Sequence, residues 1–205
     1  MVYKNFLLRL IFSLVFIIIY SLICIINFKL VFYLIFLIYL LVCYEIIFYF
    51  KKYKYVPIVY ILFSFLFFFY IDFENKNILN FNLFIYIVIS FDIFSYLIGK
   101  LFGRNKLIKI SPNKTIEGLL GGIIISSLSS IIFSKIIGIY IDYKLLIFIL
   151  LVILFAFSGD IIESYFKRQN NLKNSSNFIP GHGGVFDRFD SFLFSIIFYS
   201  IFVNF

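Results

Sequence analysis

Three groups of ionisable and glycine residues in this chain have types and spacings suited to chemistry on phosphates. The first reads Ser158-Gly159-Asp160-Ile161-Ile162-Glu163-Ser164-Tyr165-Phe166-Lys167-Arg168. On a helix, offsets of 0, 3, 4, 7 and 8 set Asp160, Glu163, Ser164, Lys167 and Arg168 along one face. Carboxylates at one end of that face and cations two turns further on suit a metal ion and the phosphates bound to it. The alternative is an ordinary helix end laced by i, i+4 neighbours such as Glu163 and Lys167.

The second group runs Pro180-Gly181-His182-Gly183-Gly184-Val185-Phe186-Asp187-Arg188-Phe189-Asp190-Ser191. Glycines let the backbone approach a ligand closely, and free amides just ahead of a helix donate to anions. Asp187, Asp190 and Ser191 then fall at i, i+3 and i+4 of the following helix. Asp160 and Asp187 are the pair expected to hold a divalent cation, because Mg²⁺ beside phosphates takes only about one or two carboxylates with oxygens and water completing its shell. Helix N-caps and a plain glycine turn are the competing reading.

The third group places Asp92, Ser95, Tyr96, Gly99 and Gly103 near one helical face, followed by Arg104, Lys106, Lys109 and Ser111-Pro112-Asn113-Lys114-Thr115. Asp92 sits within an apolar segment, where an ionised side chain costs about 2.5–3.5 kcal/mol to insert, so a partner or a function is expected of it. Ser111 and Pro112 look like the N-cap and first residue of a helix. Lys114 would then stand at the positive end of that helix, which is unfavourable unless an anion is there as well. Glu45 lies in another apolar segment with no evident partner, and a packing or interfacial role is favoured over a catalytic one.

The elements that must position these groups are membrane helices. The chain is 63% hydrophobic and 23% aromatic, well above the roughly 45–50% apolar usage of soluble domains. Seven segments are expected, at Phe6–Ile26, Leu30–Phe50, Val56–Ile71, Leu79–Ile98, Ile116–Tyr140, Leu145–Phe157 and Phe192–Val203, with Asn27, Phe28 and Lys29 as a tight hairpin between the first two. Only helices satisfy their own backbone groups in lipid, and these segments are too long for barrel strands. The first lacks a small-residue cleavage site after Ile19 and reads as an uncleaved helix.

The net charge of +8 does not point to nucleic acid, because the 18 Lys and Arg residues lie in short stretches between apolar runs. With the N-terminus inside, Lys4, Arg9, Lys51, Lys52, Lys54, Lys100, Arg104, Lys106, Lys109, Lys114, Lys167, Arg168, Lys173 and Arg188 are cytoplasmic, against Lys29, Lys76, Lys135 and Lys144 outside. The expected fold is an all-α polytopic bundle of about seven helices, N-in and C-out, forming a single domain over residues 1–205. Cys24 and Cys43 sit apart in apolar stretches, so neither a disulfide nor a zinc site is expected.

The stretch Ser164 to Asp190, Ser-x-x-Lys-Arg-x4-Lys-Asn-x6-Gly-His-Gly-Gly-x-x-Asp-Arg-x-Asp, closely resembles the pattern of the phosphatidate cytidylyltransferases, or CDP-diglyceride synthetases. Gly159-Asp160, the Ser111 to Thr115 block, and Asp92, Tyr96, Gly99 and Gly103 resemble the family's preceding blocks in the same order, so the likeness covers about residues 92–191. Two departures stand out. The family has Lys-Asp where this chain has Lys173-Asn174, and the N-terminal half is short for the family by one or two helices.

The resemblance implies transfer of a cytidylyl group from CTP to phosphatidic acid with Mg²⁺, a second cation being left open, in a bacterial inner membrane with the site facing the cytoplasm. It implies catalytic roles for Asp160, Lys167, Asp187 and Arg188, and cation binding by Asp160, Asp187 and Asp190. Substrate contacts would come from Ser111, Lys114, Ser164, Arg168, Lys173, Gly181, His182, Gly183 and Gly184. Partners are then CTP, phosphatidic acid and membrane lipids, with no nucleic acid, and a homodimer is left open. A CTP-dependent transferase acting on another lipid and a membrane transporter are the alternative functions.

Overall fold

The structure is a computed structural model that describes residues 15–74, 77–108, 110–112, 114–176, 178 and 183–204. Seven helices run through them: α1 (Val15–Ile26), α2 (Leu30–Tyr49), α3 (Tyr55–Phe69), α4 (Ile78–Phe102), α5 (Ile116–Ile136), α6 (Tyr143–Gln169) and α7 (Phe186–Asn204). Among the described residues extended pairing is limited to isolated bridges such as Lys106 with Thr115. Helices α2, α4, α5 and α6 are long and apolar enough to cross a membrane, and α1 and α3 are shorter apolar helices. Large apolar side chains such as Ile25, Leu62, Leu101, Leu128 and Ile132 are exposed along them, a surface that water would penalise and lipid would not. The chain is a polytopic helical membrane protein, as its composition required.

Two compact units divide the chain, Met1–Ile78 with Phe166–Phe189, and Leu79–Tyr165 with Asp190–Phe205. In the first, Asn27 closes the α1–α2 hairpin by accepting from Lys29 N through its side chain and from Leu30 N through its carbonyl. Helices α2 and α3 meet through aromatic rings: Phe32 stacks on Phe68 at 5.0 Å, and the buried Tyr39 hydroxyl lies 2.6 Å from Ser64 Oγ. Such ring pairs contribute about 0.5–1.5 kcal/mol each beyond the area they bury.

In the second unit, α5 presents a buried stripe of small residues, Gly118, Gly122, Ser126, Ser130 and Ser134, one every fourth position. A Cβ on Gly118 would lie 2.8 Å from the Ser95 carbonyl oxygen and 2.9 Å from Gly99 Cα, and one on Gly122 would lie 2.8 Å from Ser95 Cβ. Small residues let backbones approach where lipid supplies no hydrophobic drive for helices to associate. Tyr86 stacks on Phe133 at 4.2 Å further along the same contact. Helix α7 packs on α4 through Tyr199 and Phe84, 4.6 Å apart, and on α6 through Phe155 with Phe194 and Phe198.

Several boundaries differ from those expected. Helix α5 stops at Ile136, short of Tyr140, because Gly138 takes φ +80 and Ile139 N and Gly138 N donate to the Ser134 and Lys135 carbonyls, the double closure of a Schellman cap. Its start is also four residues later than the Ser111-Pro112 reading. Thr115 is the N-cap, extended at φ −119 and ψ 155, with its side chain accepting from Gly118 N. Leu107 N donates to the Lys114 carbonyl and Ile116 N to that of Asn105, so this stretch is a hairpin, and Ser111 caps a turn by accepting from Lys114 N. Backbone pairing across the hairpin outcompeted the helix that Ser111 and Pro112 could have begun. Helices α6 and α7 extend well past their apolar segments, to Gln169 and back to Phe186, and so carry the charged residues on helical backbone.

Candidate active site

The second unit assembles an acidic centre. Helix α6 runs unbroken through Asp160 and Glu163, and these face Asp190 in the first turns of α7, with one carboxylate oxygen from each of the three within 4.8 Å of the others. Gly159 permits this approach, since a Cβ there would lie 2.5 Å from the Asp190 carbonyl oxygen and 2.9 Å from Phe194 Cβ. Glu163 is fully buried. Three carboxylates this close repel one another unless protons, cations or a metal offset them.

One cation is supplied by the protein. Lys114 Nζ lies 2.6 Å from Asp160 Oδ2 and 5.0 Å from the centre of the Phe157 ring, one turn below Asp160 on α6. Lys114 is held by the hairpin between α4 and α5. Glu117, in the first turn of α5, secures that hairpin by accepting from Arg104 N, Asn105 N and Asn105 Nδ2. The anion required beside Lys114 is therefore Asp160. Ser191, next to Asp190, donates through its hydroxyl to Asp92 Oδ1 at 3.1 Å, which gives the carboxylate on α4 a polar partner.

The first unit holds a second carboxylate centre. Asp187 Oδ1 pairs with Lys167 Nζ at 2.7 Å, and Asp187 Oδ2 accepts from Ser175 N and Gly184 N, each at 2.9 Å. Glu45, 1% exposed on α2, is surrounded by donors. Its Oε1 accepts from Ser176 Oγ at 2.6 Å and Val185 N at 2.8 Å, and its Oε2 from Ser175 Oγ at 3.1 Å and Phe186 N at 2.9 Å. Gly184 has no room for a side chain, because a Cβ would overlap Ser175 Oγ and crowd both Glu45 oxygens. Gly183, at φ +83, is in the left-handed region that favours glycine.

Of the residues expected to bind a cation, Asp160 and Asp190 come together in the second unit, joined by Glu163, which the sequence set on the right face without assigning it as a ligand. Asp187 belongs to the first unit and is paired with Lys167, another expected catalytic residue. Arg168 donates from Nη1 to the Leu172 carbonyl, Lys173 and Arg188 are exposed, and Ser164 is buried in α6. Gly181 and His182 lie outside the described residues. Of the Gly181–Gly184 backbone expected to let a phosphate approach, Gly184 N donates to Asp187, and the next two amides, Val185 N and Phe186 N, donate to Glu45. Glu45 gave one signal in the sequence, a carboxylate in an apolar helix, but its partners are some 130–141 residues away.

The chain matches the cytidylyltransferase family over residues 2–205. It is 37% identical over 150 residues to a phosphatidate cytidylyltransferase of Bacillus subtilis (strain 168), covering 71% of this chain and 56% of that protein. It is 42% identical over 123 residues to one from Staphylococcus saprophyticus, covering 57% and 46%. A third, from Staphylococcus aureus (strain COL), is 38% identical over 144 residues, covering 67% and 53%. The chain thus spans about half the length of these relatives. With a match over residues 2–205 and its charged segments carried on apolar helices, this chain belongs to the cytidylyltransferase family.

Proposed function

We propose that this protein transfers the cytidylyl group of CTP to phosphatidic acid, releasing pyrophosphate and leaving CDP-diacylglycerol in the membrane. The observation that carries this reading is the acidic centre of Asp160, Glu163 and Asp190 with Lys114 against it, in a chain of a family whose matched relatives are named for that reaction. A phosphate oxygen of the lipid forms the new bond to the α-phosphorus of CTP, the α–β bridging bond breaks, and its electron pair leaves on pyrophosphate. The nucleophile is already an anion, so no general base is needed, and catalysis rests on positioning and charge neutralisation.

Hard carboxylate oxygens fit Mg²⁺, and Asp160, Glu163 and Asp190 are the residues from which its roughly one or two protein ligands would come, with phosphate oxygens and water completing the shell. Bound there, the ion would neutralise phosphate oxygens and stabilise the departing pyrophosphate. Lys114 adds a cation beside that centre in the second unit, and Lys167, Arg168, Lys173 and Arg188 are the candidate phosphate-binding cations of the first unit. Asp187 sets the Lys167 ammonium, and Gly183 and Gly184 keep the backbone around it free of side chains. Ser111 and Ser164 remain substrate-contact assignments, and a second cation near Asp187 is an extension of the same reading. Both units belong to one transferase domain, which the family match over residues 2–205 supports. The distribution of Lys and Arg favours a cytoplasmic site with the N-terminus inside, in a bacterial inner membrane.

The deciding assay uses the purified chain in liposomes with CTP labelled at the α-phosphate. Labelled CDP-lipid should form only when phosphatidic acid and Mg²⁺ are both present, and competing acceptor lipids should stay unlabelled. A product on another acceptor would move the substrate, and no labelled lipid under any condition would overturn the reading. Light scattering of the same preparation reads whether the chain is a homodimer.

A further inference from the structure

Three consecutive amides lead into helix α7, Gly184 N, Val185 N and Phe186 N, and each donates to a carboxylate of the chain itself. The other end of the same segment is held in the same way: Ser175 gives its amide to Asp187 and its hydroxyl to Glu45, and Ser176 gives its hydroxyl to Glu45. Glu45 on α2 therefore fastens both ends of the stretch from 175 to 186, and it does so from within the core, at 1% exposure. Each Glu45 oxygen accepts from one backbone N–H, Oε1 from Val185 and Oε2 from Phe186, so both positions need an acceptor. An amide at this position would turn an N–H against a backbone N–H whichever way it were placed.

The consequence falls on Asp187. The two amides that fix its Oδ2 come from Ser175 and Gly184, and each of those residues adjoins or makes a Glu45 contact. Its Oδ1 is then aimed at Lys167 Nζ, 2.7 Å away and 13% exposed. Gly184 completes the arrangement, since any Cβ would overlap Ser175 Oγ and crowd the Glu45 carboxylate.

We propose that Glu45 is a positioning residue of the transferase reaction, a buried carboxylate that clamps residues 175–176 to residues 185–186 and through them sets Asp187 and the Lys167 ammonium. The role in turnover rests on the function proposed above, whereas the clamp itself does not. The amides at 184–186 are consumed internally, by Asp187 and Glu45.

Two measurements on the full chain, one independent of activity, test this. In detergent micelles, acetic anhydride labelling followed by peptide mass spectrometry reads the modification rate of Lys167, with exposed Lys51 as the reference. Glu45→Gln should raise the Lys167 rate about threefold or more while Lys51 stays unchanged, as a loosened ion pair frees the amine. In liposomes, the same variant should lose about tenfold or more in kcat with KM for CTP and the Mg²⁺ half-saturation within about twofold of the parent, because an interaction realised in the transition state has been misplaced. Glu45→Asp, which keeps the charge, should recover part of both. If Glu45→Gln fails to fold, Ser175→Ala and Ser176→Ala, each deleting one donor, carry the test with smaller shifts in the same direction.

Folded variants with parental Lys167 labelling would overturn the clamp. Parental kcat would overturn its role in turnover. A parent protein that makes no CDP-lipid at all would sink the proposed function, and the labelling would still decide the clamp.

Discussion

Replacing Gly159 by Ala puts the acidic centre under a defined mechanical load. The new Cβ would lie 2.5 Å from the Asp190 carbonyl oxygen, 2.9 Å from Phe194 Cβ and 3.3 Å from the Asp190 carbonyl carbon. Two of these neighbours are backbone atoms of α7 and cannot rotate away, so α6 and α7 must separate by roughly 0.5–0.9 Å to restore ordinary contact. Overpacking of this kind costs about 1–3 kcal/mol of stability. The three carboxylates share a span of 4.8 Å, and Mg²⁺ demands ligand distances of about 2.0–2.1 Å in near-octahedral array. Moving Asp190 by such an amount relative to Asp160 and Glu163 should raise the Mg²⁺ half-saturation and lower kcat by about ten- to a hundredfold, since a misplacement near 1 Å can cost about a hundredfold. Initial rates of CDP-lipid formation across a Mg²⁺ titration, with melting temperature recorded in the same detergent, separate the two effects. A Gly159→Ala protein with parental kcat and parental Mg²⁺ dependence would refute the reasoning, because the approach of α6 to α7 would then not be what builds the centre.

Asp160→Asn, Glu163→Gln and Asp190→Asn should each reduce turnover by about a hundredfold or more, as expected when a group that neutralises transition-state charge is removed, with membrane insertion retained on fractionation. Lys114→Ala deletes the cation 2.6 Å from Asp160 and should lower kcat/KM for CTP by about ten- to a hundredfold, the worth of a charge-assisted bond, with Lys114→Arg recovering part in steady-state kinetics. Thr115→Ala removes the hydroxyl that caps Gly118 N and should cost about 1 kcal/mol, read as a lower melting temperature with a smaller effect on kcat.

Much of this molecule was legible before any coordinates. Uniform apolar runs separated by basic stretches admit only membrane helices, and the spacing of Asp160, Glu163 and Lys167 set them on one face once the helix proved continuous to Gln169. Asp92, within an apolar helix, announced a partner by the cost of burying it, and Ser191 is one; Glu45, read as a packing or interfacial residue, proved to be bonded to Ser175, Ser176, Val185 and Phe186. Nothing local in the sequence names a partner more than 90 residues away. The Ser111-Pro112 reading went astray for a more local reason: a competent cap lost to backbone pairing between Lys106 and Thr115.

By itself, then, the chain's order of residues determined the helices, the lipid environment and the stock of carboxylates and cations, because these follow from local composition and period. Which carboxylates share a centre was decided by tertiary structure. That choice turns on how closely a glycine backbone can be approached, by the Asp190 backbone at Gly159 and by the Glu45 carboxylate at Gly184, and such contacts depend on the absence of a side chain opposite a residue that is remote in sequence.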